Sequence, residues 1–203
     1  MDDGDKHQRW KRYYANTGER PPRKTLMLAL ERFAAEGLQG GQAIDLGCGS
    51  GRDTIAMLRQ GWRVLAIDAE PEAFAALKAR EDLPADAALE TRIGRFENED
   101  LPPADLINSS FALPLVPAED FPRLWQTMRA ALKPGGRIST QLFGPEDDWY
   151  GDPTITFHTR AEAEARLDGL EIEMFDEEED ESPTPRNKIK HWHLFHMVAR
   201  RLL

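Results

Sequence analysis

Gly47, Gly49 and Gly51 crowd into five residues of the stretch AIDLGCGSGRDT (43–54), directly behind the short apolar run AIDL. A buried strand that enters such a turn and leaves it as a helix gathers free backbone N–H groups and the positive end of the helix at one point. Gly47 and Gly49 would let the backbone touch a ligand there, and Gly51 would let the helix pack closely on the strand. The unit thereby demands a sheet whose strands are joined by helices, with its ligand at the carboxyl end of the first strand.

The rest of the chain agrees with that demand. TLMLALERFAAEG (25–37) places Leu26, Leu30 and Phe33 on one helical face and closes on a glycine. QAIDL reads as a buried strand, RDTIAMLRQG as a helix, WRVLAID (62–68) as a second strand, and PEAFAALKARED as a helix with Pro71 in its first turn. ALETRI is a third, poorer strand, ADLINSS (104–110) a fourth, and FPRLWQTMRAALKPGG a helix that leads into the strand RISTQLF. Thr159 and Glu162 form a capping box for a helix reaching about Leu167. LEIEMFDEE and HWHLFHMVAR are late strands with no helix between them, which predicts an antiparallel hairpin at one edge of a mostly parallel α/β sheet. The run DEEEDE (176–181) reads as a solvated loop of that hairpin.

At 203 residues the chain holds one full hydrophobic core, and a single domain over 1–203 is expected, with 1–24 as an N-terminal lid segment. The net charge of −10 argues against a nucleic-acid partner. Apolar runs are too short to span a membrane, and the charged start MDDGDKHQRW lacks the apolar core of a signal peptide. Cys48 is the single cysteine, so no internal disulfide forms and a cytoplasmic location is expected.

Spacing narrows the ligand. A dinucleotide fingerprint places its third glycine three residues after the second, but here that position is Arg52, which disfavours NAD; the lysine of a phosphate-binding loop is also missing. Asp68 ends the second strand, where a carboxylate can accept hydrogen bonds from both ribose hydroxyls. Asp45 can orient the turn or meet a cationic amine. A ligand with a ribose, an ammonium and a carboxylate satisfies all three features, and S-adenosylmethionine (SAM) is such a ligand.

DLGCGSG, LAID, ADLINSSF and LKPGGRI, in this order and spacing, resemble the class I SAM-dependent methyltransferases. The short chain and the ending NKIKHWHLFHMVARR are similar to the small-molecule branch that includes tellurite-resistance and thiopurine methyltransferases. The resemblance implies a Rossmann-like three-layer sandwich, with a seven-stranded, mostly parallel sheet whose last strand inserts antiparallel beside the fifth. It implies SAM as cofactor, with Asp45, Gly47, Cys48 and Gly49 in the turn beneath its methionine part. Asp68 matches the ribose-binding acid, Ala69 lies near the adenine, and Phe96 and Glu97 take the adenine-contacting place after the third strand. Asn108 faces the reacting methyl group, and Trp10, Tyr14 and Arg23 resemble a lid over the cofactor.

Methyl transfer from a sulfonium needs alignment, closeness and exclusion of water more than any particular side chain, so the sequence singles out no catalytic residue. On a strand His191 and His193 share one face and His196 takes the other, which does not make a three-ligand metal site. NSSF lacks the prolines of the amino-methylating DNA enzymes. A small-molecule acceptor and a monomer or homodimer are therefore expected, the alternative being a SAM-binding sensor without transferase activity. The acidic first half of FDEEEDESPTPRNKIK, read as a loop over the site, favours a neutral or cationic acceptor over an oxyanion.

Overall fold

The computed structural model describes residues 20–184 and 187–202. Its elements run α1 (Lys24–Ala35), β1 (Gln42–Leu46), α2 (Arg52–Arg59), β2 (Arg63–Asp68), α3 (Pro71–Lys78) and β3 (Leu89–Ile93). They continue with β4 (Ala104–Ser109), α4 (Phe121–Ala131), β5 (Leu132–Phe143), α5 (Arg160–Ala165), β6 (Leu170–Pro183) and β7 (Ile189–Arg201). The seven strands form one sheet in the order β3-β2-β1-β4-β5-β7-β6. The first five are parallel, and β7 lies antiparallel between β5 and the edge strand β6.

Helical periodicity explains how the faces are covered. Leu26, Leu30 and Phe33 of α1, with Ile55 of α2 and Leu77 of α3, bury one face against Val64, Leu106 and Val198. Phe121, Leu124 and Met128 of α4 bury the opposite face against Ile44, Ile67 and Ile138. Successive strand residues thus serve opposite helix layers, the alternation that a three-layer sandwich imposes. No helix among the described residues is long and apolar enough to cross a membrane.

Two elements differ from the sequence expectation. Helix α4 stops at Ala131, and LKPGG is extended, pairing Leu132 with Ala104, so β5 starts before RISTQLF. The run DEEEDE is strand and not loop: every residue from Asp176 to Glu181 pairs with β7, Asp176 opposite His196 and Glu181 opposite His191. Glutamate is a poor strand former, but here five of the six carboxylates, all but Asp180, face a cation or an imidazole. His191 meets Glu179 and Glu181, His193 meets Glu177, and His196 meets Glu178. Cross-strand pairing overrides propensity.

Arg137 ties the layers together at the other end of β5. It is fully buried, its Nε and Nη2 donate to Glu173 of β6 at 2.7 and 2.8 Å, and its Nη1 and Nη2 donate to Glu36 after α1 at 3.1 and 2.5 Å. Its guanidinium also covers the Phe33 ring at 4.4 Å. Removing one partner of such a buried group strands the others. Arg137→Ala is expected to cost about 3 kcal/mol, the low end for a broken buried pair. Glu36→Gln, at a position 40% exposed, is expected to cost under about 1 kcal/mol. Urea denaturation checks the order; equal losses would show that the guanidinium does not bridge the layers.

Candidate functional site

The carboxyl ends of β1, β2 and β4 converge on the glycine turn. Gly47, Gly49 and Gly51 all have positive φ, at 72°, 53° and 80°. The crowding has a more specific cause than the sequence suggested. A Cβ on Gly47 would sit 2.3 Å from Cβ of Ala112, and one on Gly51 would sit 1.9 Å from Cδ1 of Leu77. Gly47 therefore admits the segment after β4, and Gly51 admits α3, not the strand behind its own helix. The turn is also tied to β2, since Gly47 and Cys48 N–H donate to the Ile67 carbonyl. No side chain caps the start of α2.

Carboxylates surround this turn. Asp68 accepts from the Gly49 N–H at 2.8 Å and from the Glu70 N–H at 3.0 Å, so it holds the turn and the β2–α3 connection at once. Asp45, 2% exposed, accepts from the Thr54 hydroxyl at 2.5 Å and from the Asn108 amide at 2.9 Å. Asp53, in the first turn of α2, accepts from the Ser110 hydroxyl at 2.5 Å and from the Arg23 N–H at 3.1 Å. Burial, then the neighbouring Asp53 charge, push the Asp45 carboxyl up to about 7, although Thr54 and Asn108 favour its ionised form. Burial likewise raises the Cys48 thiol, so Cys48 stays protonated and is not a nucleophile.

The sequence-derived positions fall in different places. Asp45, Gly47, Cys48, Gly49 and Arg23 line one narrow cleft of about 60 Å³. Phe96 and Glu97 sit in a single 3-10 turn after β3; Phe96 approaches Gly47, while Glu97 is buried and paired with Arg95 at 2.5 Å. Ala69 is exposed beside Asp68. Asn108 does not line this cleft and is fully buried, its side-chain amide on Asp45 and its side-chain carbonyl accepting from Ser139 at 3.1 Å. Its place is behind the turn, holding Asp45. Trp10 and Tyr14 lie outside the described residues.

Sequence reasoning missed the neighbours that tertiary folding brings in. Asp53 and Ser110 line the cleft. A larger cavity of about 260 Å³ shares Arg23 and Arg52 with the cleft and is walled by Phe111, Gln141 and His196. Phe111 has φ of 59°, a strained conformation for an aromatic residue, and its N–H donates to Gln141 Oε1 at 3.2 Å. Gln141 is anchored in turn on the Thr25 hydroxyl at 2.7 Å. The sole sequence signal was that Phe111 follows the fourth strand immediately. Among the described residues no group of three or more His, Cys, Asp or Glu could hold a metal ion.

A parallel sheet with an inserted antiparallel β7, and a glycine turn at its carboxyl edge, give the Rossmann-like α/β fold that SAM-dependent methyltransferases share. Residues 43–136 match the family model described as a methyltransferase domain. The ribosomal protein L11 methyltransferase of Methylococcus capsulatus is 35% identical over 124 residues, 60% of this chain and 39% of that protein. TehB from Haemophilus influenzae superposes with a TM-score of 0.69 at 20% identity, over 83% of this chain and 60% of that one. The 1,6-didemethyltoxoflavin-N1-methyltransferase of Burkholderia thailandensis, solved with S-adenosylhomocysteine, gives 0.64 at 21% identity, over 89% and 79%. These likenesses establish the fold. The chain spans about two fifths of the L11 methyltransferase and about three fifths of the TehB chain.

The raised carboxyl of Asp45 makes stability depend on pH. Its folded value of about 7 exceeds the ordinary 3.8, so the folded state binds the proton more tightly. Stability is therefore full below pH 4, falls as pH rises toward 7, and stays reduced above it, by on the order of 4 kcal/mol. Asp45→Asn removes the penalty. Its stability relative to the wild type is expected to rise between pH 4 and pH 7, measured by urea denaturation at each pH; parallel profiles would show that Asp45 ionises freely.

Proposed function

We propose that this chain transfers the methyl group of SAM to a nitrogen, oxygen or sulfur of a small-molecule acceptor. One observation carries the reading: Asp45, Asp53 and Asp68 crowd one turn, and burial, with the Asp53 and Asp68 charges, leaves Asp45 hard to ionise. A cationic ligand relieves that cost, and SAM brings an ammonium and a sulfonium. Backbone N–H groups at the uncapped start of α2 suit its carboxylate. The donor set therefore fits the group. Bound there, SAM supplies an electrophilic methyl carbon on a sulfur that leaves as a neutral thioether.

The chain's own residues then have separate tasks. Asp45 and Asp53 face the ammonium, with Asn108 and Thr54 fixing Asp45. Asp68, already oriented by two backbone N–H groups, receives the ribose, with Ala69, Phe96 and Glu97 on the adenine side. The cleft of about 60 Å³ takes the amino-acid end, and Arg23 and Arg52 stand on its rim. The adjoining cavity of about 260 Å³ falls below the range of drug-sized pockets, which supports a small acceptor. In this reading 1–203 acts as one domain, with 1–24 covering the cofactor.

Isothermal titration tests the cofactor, with tight SAM binding expected and none of NADH. Asp68→Ala is expected to weaken SAM by about 1.5–3 kcal/mol, the range for hydrogen bonds to a charged group. Unchanged affinity would remove Asp68 from the site. Formation of S-adenosylhomocysteine with a panel of amines, phenols and thiols tests the transfer, and its absence with every acceptor would favour a sensor.

A further inference from the structure

The larger cavity has a titratable wall. Pairing of β5, β7 and β6 puts Gln141 opposite His196 and Asp176 opposite His196, so these side chains share one face beneath the start of α1. His196 is 5% exposed and lines the cavity. Its Nε2 lies 3.0 Å from Glu178 Oε2, and Lys24 Nζ reaches the same oxygen at 3.3 Å. With the Nε2 proton donated to that carboxylate, Nδ1 is the basic nitrogen, and it is buried without a hydrogen-bond partner.

The other histidines show what is unusual here. His193 on the opposite face is as buried, yet both its nitrogens are used: Nε2 by Glu177 at 2.9 Å and Nδ1 by the Glu146 N–H at 3.1 Å. That is a structural histidine. His158 also has an unpartnered Nδ1, but it packs on Phe121 and lines neither cavity. Among the described histidines only His196 combines an unpartnered nitrogen, an orienting carboxylate and a place in the wall. Desolvation and the Lys24 charge hold its imidazole below the ordinary value, against Glu178 and Asp176, so it is in its base form at neutral pH. The charges facing it are Lys24 from α1 and Glu178 and Asp176 from β6, with Arg23 and Arg52 across the cavity.

We propose that His196 takes the proton of the methyl acceptor, so that the acceptor is a small hydroxyl, thiol or ring N–H compound. This rests on the methyltransferase reading above. The acceptor's X–H bond breaks with its electron pair left on X, and the proton goes to the imidazole. That pair forms the new bond to carbon while the carbon–sulfur pair departs with the thioether. The imidazolium is balanced by Glu178 until it releases its proton to water. An imidazole held by a carboxylate is the usual way such a base is oriented.

The test compares two probes at saturating SAM: phenol, neutral at pH 7, and thiophenol, largely ionised there. His196→Gln is expected to lose about 100-fold or more in turnover of phenol, the usual size of a general-base contribution. Its turnover of thiophenol is expected to stay within about threefold, and its SAM affinity to be unchanged. The phenol defect is expected to shrink as pH rises. Equal losses on both probes, or no loss on either, overturn the proposal. NMR of the histidine rings in the S-adenosylhomocysteine complex gives a readout independent of turnover: added phenol is expected to shift His196 and not His193. No shift overturns the proposal while leaving the cofactor reading intact, whereas failure to bind SAM overturns both.

Discussion

The buried carboxylate of Asp45 organises the carboxyl edge of the sheet. It accepts from Thr54 on α2 and Asn108 on β4, and Asn108 is held by Ser139 on β5. One side chain thus aligns three strands and the helix that closes the glycine turn. The arrangement is costly, because burial and Asp53 oppose ionisation of that carboxyl. In the proposed cofactor reading, stability given up at this carboxylate would be recovered on binding of a cation, so the interaction that strains the free protein would favour the bound one.

A second consequence of the sheet is the carboxylate–imidazole seam of β6 and β7. Alternation sorts its charges to opposite faces: Glu177, Glu179 and Glu181 meet His193 and His191, while Asp176 and Glu178 meet Lys24 and His196. Five of the six carboxylates of the acidic run, all but Asp180, are paired in this way, so the run is not a repulsive loop over the site, though Glu178 also lines the larger cavity. The expectation of a neutral or cationic acceptor loses the support that a loop would have given it, and in the proposed reading the acceptor's chemistry rests on the cavity wall, where Glu178 and His196 face Lys24.

The cavity in turn depends on a strained residue. Phe111 keeps its positive φ because Gln141 accepts its N–H and Thr25 anchors Gln141, with Arg23 lying 4.1 Å over its ring. Helix α1, strand β5 and the segment after β4 therefore converge on one aromatic ring between the cleft and the cavity.

The sequence by itself determined the strand–turn–helix unit, the mostly parallel sheet and the late antiparallel hairpin, because these follow from apolar periodicity and from glycines needed at positive φ; the insertion of β7 beside β5 followed only from the family resemblance. It also marked Asp45, Asp68 and the turn, since their roles are local to strand ends. Tertiary structure alone decided what the glycines make room for, as Ala112 and Leu77 lie 65 and 26 residues away from their partners. It also decided that DEEEDE is strand, that Asn108 backs Asp45, and that Gln141, Glu178 and His196 meet beside the turn. Those facts depend on register and cross-strand contact between distant segments, where pairing energy outweighs the local preference of each residue.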